Sequence, residues 1–219
     1  MSDLAFLVRG RSVDLVAMTA FNTFRDTLGL GDEIALLERD DVYVIENVDE
    51  GDAPAWIEAC TDHQHWFNPN KHRFAAVLAH DGALEAVRTD GTWPHPWLQR
   101  LVQTDRPDLV ASQRAIDDVL RAWLAVRPAD GHYAVPLLAW DLEDGLSPLP
   151  GGYWPDGQRV RLRGVLWTIV LRADSADAAS ARAEELAVTR ARRKGLLVHP
   201  HMQGYASIGP ALALEPATG

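Results

Sequence analysis

A chain of 219 residues with 47% hydrophobic and 24% charged residues can bury one large core or two small ones, and is not a disordered segment. Its net charge of −10 works against a general nucleic-acid binder, which needs a basic surface. The single cysteine, Cys60, excludes an intramolecular disulfide and a thiolate zinc cluster, and no apolar run reaches the roughly 18 residues that a membrane span requires. Met-Ser-Asp-Leu-Ala-Phe at the start does not lead from basic residues into a long apolar run, so the expected location is cytoplasmic.

Taken in order, residues 4–9 read as a short buried strand. Ser12 is placed to cap a helix whose stripe is Ala17, Phe21, Phe24 and Leu28, with Gly29 at its end. Residues 33–38 and 42–48 are β-rich and are separated by Arg39-Asp40-Asp41, which reads as a hairpin turn. Asp52 and Pro54 open a second helix, in which Trp56, Ile57 and Cys60 face inward and which Pro69 ends. Phe74 to Ala79 is a strand, and Asp81-Gly82 is a two-residue hairpin signal before Leu84 to Arg88. The order β-α-β-β-α-β is that of a ferredoxin-like unit, an antiparallel sheet with two helices on one face.

The second half repeats the pattern less regularly. Ser112 caps a helix with the stripe Ile116, Leu120 and Trp123, and Tyr133 to Asp141 is a strand that Pro136 pushes towards a sheet edge or a bulge. Arg159 to Arg172 is a long strand, a helix is expected from Ala176 to Lys194, and Ala206 to Ile208 closes the unit. The fold class is therefore α+β with two tandem ferredoxin-like units in residues 1–88 and 112–209, an insert at 89–111 and a tail at 210–219.

The best architectural clue is an internal repeat. Trp66-Phe67-Asn68-Pro69 with Phe74 and Leu197-Val198-His199-Pro200 with Tyr205 share a helix end, a proline and an aromatic, at a constant offset of 131. Val44–Gly51 and Thr168–Ser175 align at an offset of 124, which implies a second helix longer by seven residues, or two turns.

On these residues the chain resembles the small subunit of bacterial phosphoribosylformylglycinamidine synthase, in which a Leu-Leu-Ala-Asn-Pro segment ends the second helix and an aromatic leads the last strand. Leu196-Leu197-Val198-His199-Pro200 is the closest match. The resemblance implies the ferredoxin-like fold, a non-catalytic assembly role and purine biosynthesis. Gly10-Arg11-Ser12-Val13 stands where that family has Asp-Pro-x-Gly, and Arg39-Asp40-Asp41-Val42 where it has Gly-Lys, and those family segments serve assembly with its partner subunits.

Two groups of residues are candidates for chemistry. Asn68, Asn70, Lys71, His72 and Arg73 form a polar and basic cluster suited to a small anionic ligand, and ordinary turn chemistry explains the same residues. His199 and His201 flank Pro200, which favours an extended His-x-His able to offer two ligands to a divalent metal, and His63 and His65 are a second, poorer candidate pair at a helix end, where positions i and i+2 diverge. Read structurally, these histidines are polar residues of loops and helix ends. Trp93 and Trp97 lie in a Pro-rich loop and either plug the end of a sheet or line a ligand surface, and Cys60 reads as an inert core residue.

The leading expectation is a binding or assembly protein that acts through a protein partner or as a homo-oligomer, with no nucleic-acid or membrane partner. The alternative is a small-molecule enzyme, with a His-bound divalent metal, whose pocket between the two units is lined by His199, His201, His72 and the Trp93–Trp97 loop.

Overall fold

Apolar and β-branched runs at both ends of the chain pair as antiparallel strands in a computed structural model, which describes residues 2–48, 68, 70–80, 83–89, 131–141, 160–191, 195–207 and 211–214. The helix expected second in the first half, the segment 90–130 and the loop 142–159 lie outside the described residues. The architecture is α+β, mostly strand, and the chain divides into two compact units that are interleaved rather than consecutive. One draws on residues 1–12, 40–123 and 143–164, and the other on 13–39, 124–142 and 165–219.

In the first unit β1 (Ser2–Gly10) lies between β2 (Ile34–Val48) and β3 (His72–His80), and β4 (Ala83–Thr89) pairs with β3, giving the order β4-β3-β1-β2. All three pairings are antiparallel, and His80 opposite Ala83 agrees with the hairpin signal at Asp81-Gly82.

The expected turn at Arg39-Asp40-Asp41 does not form, and β2 runs through it as one 15-residue strand. Each charge meets a group far away in sequence. Asp40, with no exposed surface, takes a two-pronged ion pair from the Arg9 guanidinium, itself only 8% exposed. Arg39 Nη1 reaches Asp14 Oδ2 at 3.3 Å, and Asp41 acts electrostatically on His72. Solvent is not needed at this point, so neither is a turn. The residue boundary between the two units also falls here, with 34–39 in one and 40–48 in the other.

In the second unit the order is β2-β6-β5-β7, where β5 is His132–Asp141, β6 is Val160–Arg172 and β7 is Gln203–Ser207. Pro136 lies in an interior strand, not at an edge. It is accommodated because β5 changes partner beside it, pairing β7 through Leu137–Asp141 and β8 (Leu212–Ala213) through Tyr133 and Ala134. Residues expected as a tail from 210 thus supply a strand, and Ala211, Leu212 and Leu214 are buried.

α1 (Leu15–Asn22) is capped by Asp14, not Ser12: Oδ1 accepts from the N–H groups of Val16 at 2.8 Å and Ala17 at 3.0 Å. It continues into a π-helical turn, Thr23–Thr27, and Gly29 then takes a positive φ of 71°. α2 (Ala176–Ala187), capped by Ser175, ends seven residues before Lys194. The β-branched pair Val188-Thr189 becomes extended, and the returning chain closes the helix end. N–H groups of Leu196, Leu197 and Val198 donate to the carbonyl of Ala187 at 2.8–3.1 Å, which satisfies a terminal carbonyl without further helix. Val188 and Val198 lie side by side as a parallel bridge.

The core of this unit follows the two periods of its elements. Val135, Leu137 and Ala139 of β5 and Trp167, Ile169 and Leu171 of β6 face Ala17, Ala20 and Phe24 before them and Ala179, Ala183, Leu186 and Ala187 of α2. Alanines at four-residue spacing let α2 lie close to the sheet. The alternate residues Ala134, Leu138, Leu166, Thr168 and Val170 are also buried, so these strands are covered on both faces. Three ion pairs hold α2 outside the core. Arg182 bridges Glu33 and Glu185, and Arg190 reaches back to Glu184.

Two stability measurements follow from this packing. Asp40→Ala leaves the Arg9 charge buried and is expected to cost about 3–5 kcal/mol in denaturant unfolding, whereas the double change Arg9→Met/Asp40→Leu recovers most of it. The buried Thr168 hydroxyl has no hydrogen-bond partner among the described residues, so Thr168→Val is expected to raise unfolding free energy by about 1 kcal/mol or more in the same assay.

Candidate functional site

The two repeat ends that stand out in the sequence are built alike in space. At the first, the Asn68 carbonyl accepts from the N–H groups of Lys71 (2.9 Å) and His72 (2.7 Å). At the second, the His199 carbonyl accepts from Met202 (2.9 Å) and Gln203 (2.8 Å). In each, the side chain four residues on accepts the N–H of the first residue: Asn68 N–H donates to His72 Nδ1 at 3.1 Å, and His199 N–H donates to Gln203 Oε1 at 3.1 Å. The strand that follows begins at this fifth residue of the turn, His72 or Gln203.

Register carries the correspondence further. Gly10 stands opposite His72 and Asp141 opposite Gln203, and the matched pairs continue to Phe6–Ala76 and Leu137–Ser207. Every position in one pair lies 131 residues from its counterpart in the other, the offset that the prolines show.

The first junction, in the first unit, gathers positive charge. Arg11 N–H donates to the Lys71 carbonyl at 2.7 Å and Arg11 Nε to the His72 carbonyl at 3.0 Å, so two exposed cations are fixed to one rim by the backbone. Arg73, half-buried, stands opposite Arg9 in the register. Asn68 Oδ1 accepts from Asn70 N–H at 2.9 Å, which is turn chemistry.

His72 serves the turn too: a ring nitrogen that accepts an N–H is unprotonated. Partial burial holds its pKa below the ordinary value, with Asp41 opposing and Lys71 reinforcing that shift. Of the five residues singled out for an anionic ligand, Lys71 and Arg73 remain as charges, and Asn68, Asn70 and His72 build the scaffold. Arg11 was not singled out. Its only sequence signal is its place just after a strand, and pairing with β3 alone brings it to Lys71.

The second junction lies in the second unit, apart in chain assignment from His72. Pro200 does not extend the segment as expected, because residues 200–202 form the turn closed on His199. The turn nevertheless brings the His199 and His201 rings to a centroid separation of 5.7 Å, tilted by 54°. Among the described residues no group of three or more His, Cys, Asp or Glu side chains converges as a metal site. His63, His65, Trp93, Trp97 and Cys60 lie outside the described residues.

The His72 geometry gives a pH-dependent prediction. A histidine with a folded pKa below its unfolded value of about 6.5 contributes stability that is present above that value and is lost as pH falls towards the folded pKa. His72→Gln supplies the acceptor that Gln203 supplies at the sister junction. It is expected to flatten the fall in thermal midpoint below about pH 6.5 while leaving the midpoint at pH 8 nearly unchanged.

No protein-family model, no curated protein and no solved structure matches this chain.

Proposed function

We propose that the protein is a binding or assembly protein that acts through a protein partner, built from two divergent copies of a ferredoxin-like unit similar to the synthase small subunit that its repeat ends resemble. The common register at an offset of 131 supports the duplication. It supports the fold reading more than any role in purine synthesis.

The observation that carries the partner reading is α1. The helix and its lead-in turn their small residues inward, Ala17 and Ala20, and leave Val13 (69% exposed), Leu15 (68%), Val16 and Met18 outside. A helix that is apolar on both sides is normally covered on both sides. Four large apolar side chains within six positions form a patch, in contrast to the scattered single residues of an ordinary surface. A second polypeptide is the occupant that suits this chain, because a net charge of −10 opposes an anionic membrane surface.

Leu15→Glu and Val16→Glu test this. Both positions are exposed, so unfolding free energy is expected to change by no more than about 0.5 kcal/mol. A photoreactive amino acid at position 15 in cells is expected to give a discrete crosslinked species, which Val16→Glu abolishes. No crosslink from position 15 or 18, together with a strictly monomeric mass by light scattering, overturns the reading.

A further inference from the structure

The two junctions share a scaffold but not the side chains that it displays. The turn is closed by backbone groups and by the side chain of its fifth residue, His72 or Gln203. With the offset of 131, Asn68, Asn70 and Lys71 of the first junction correspond to His199, His201 and Met202 of the second. Because the same turn forms with Asn, Asn and Lys, the scaffold does not require two imidazoles and a thioether at these places.

All three of those side chains are exposed, Met202 at 65%. A methionine so placed contributes little to packing, and it follows directly on His201. Two imidazoles that bind one ion through nitrogens at about 2.0–2.1 Å, with an angle near 120° at the metal, place their ring centres about 5.5 Å apart. The His199 and His201 rings are 5.7 Å apart. An angle near 120° leaves room for a third ligand in the plane, and the nearest donor along the chain is the Met202 thioether. Thioether and imidazole together select a soft ion, whereas a hard cation such as magnesium or calcium prefers oxygen.

We propose that His199, His201 and Met202 form a surface site for a monovalent copper ion. The site is independent of the α1 surface, and binding there involves no change in oxidation state.

The test is an anaerobic titration of the full chain with Cu(I) against a chromogenic Cu(I) chelator. It is run in a Cys60→Ser background so that the one thiol does not compete. One Cu(I) per chain is expected, weakened at least tenfold by His199→Ala, His201→Ala or Met202→Ala. The triple exchange His199→Asn/His201→Asn/Met202→Lys installs the sister junction's residues and is expected to keep the thermal midpoint while losing the copper. Affinities of the variants within twofold of the parent overturn the proposal. So does a Met202→Ala protein that binds Cu(I) as tightly as the parent while the histidine variants do not, since the pair would then be a plain two-histidine site.

Discussion

A carboxylate with no exposed surface in the middle of a strand has to be matched by a buried cation, or the strand does not form. Asp40 and Arg9 are matched in this way, each on a different strand and joined at both ends of the guanidinium. The pair fixes β1 beside β2 within the first unit, and so allows β2 to pass the boundary at 39–40 without turning. Desolvating two charges offsets much of their attraction, so the pair's main effect is on register and continuity, with little net stabilisation. Substituting either partner alone is costly for the same reason.

Continuity of β2 has consequences for the second unit. Ile34 and Leu37 join its core, the carbonyl of Glu33 accepts from Arg172 N–H at 2.8 Å, and the Glu33 carboxylate holds Arg182 of α2. α1, which precedes β2, packs in that same core through Ala17 and Ala20, and the π-helical turn after it adds Phe24. A chain segment from the first half thereby completes a unit made largely from the second. The helix buries its small face and leaves its large apolar side chains outside, the feature on which the proposed partner reading rests.

The two junctions show how one scaffold displays different chemistry. Both lock the turn before a strand with the same three hydrogen bonds, and the side chains at three other places of the turn differ between them. In one unit those positions sit beside Arg11 and give a basic rim, and in the other they are two imidazoles and a thioether. His72 illustrates the division of labour: a histidine that reads in the sequence as a candidate for binding an anion is occupied as a hydrogen-bond acceptor in the turn, and burial disfavours its protonated form.

The sequence by itself determined the local and the repeated. The strand runs, the helix starting after Ser175, the positive φ at Gly29 and the spacing of 131 between the two prolines all follow from side-chain periodicity and backbone preference, which act over a few residues. The sequence misled where the deciding partner was distant. Arg39-Asp40-Asp41 looked like a turn because charges ordinarily seek water, and only pairing with Arg9 and Asp14 makes them strand residues. Pro136 looked like an edge residue until the change of partner from β7 to β8 made room for it. The helix after Ser175 looked longer because its arginines continue the pattern, and the returning Leu196–Val198 segment decides where it stops. Arg11 joins Lys71 through a strand pairing that no single window of residues contains. Tertiary structure decided these points because each rests on burying or satisfying a polar group against one far along the chain.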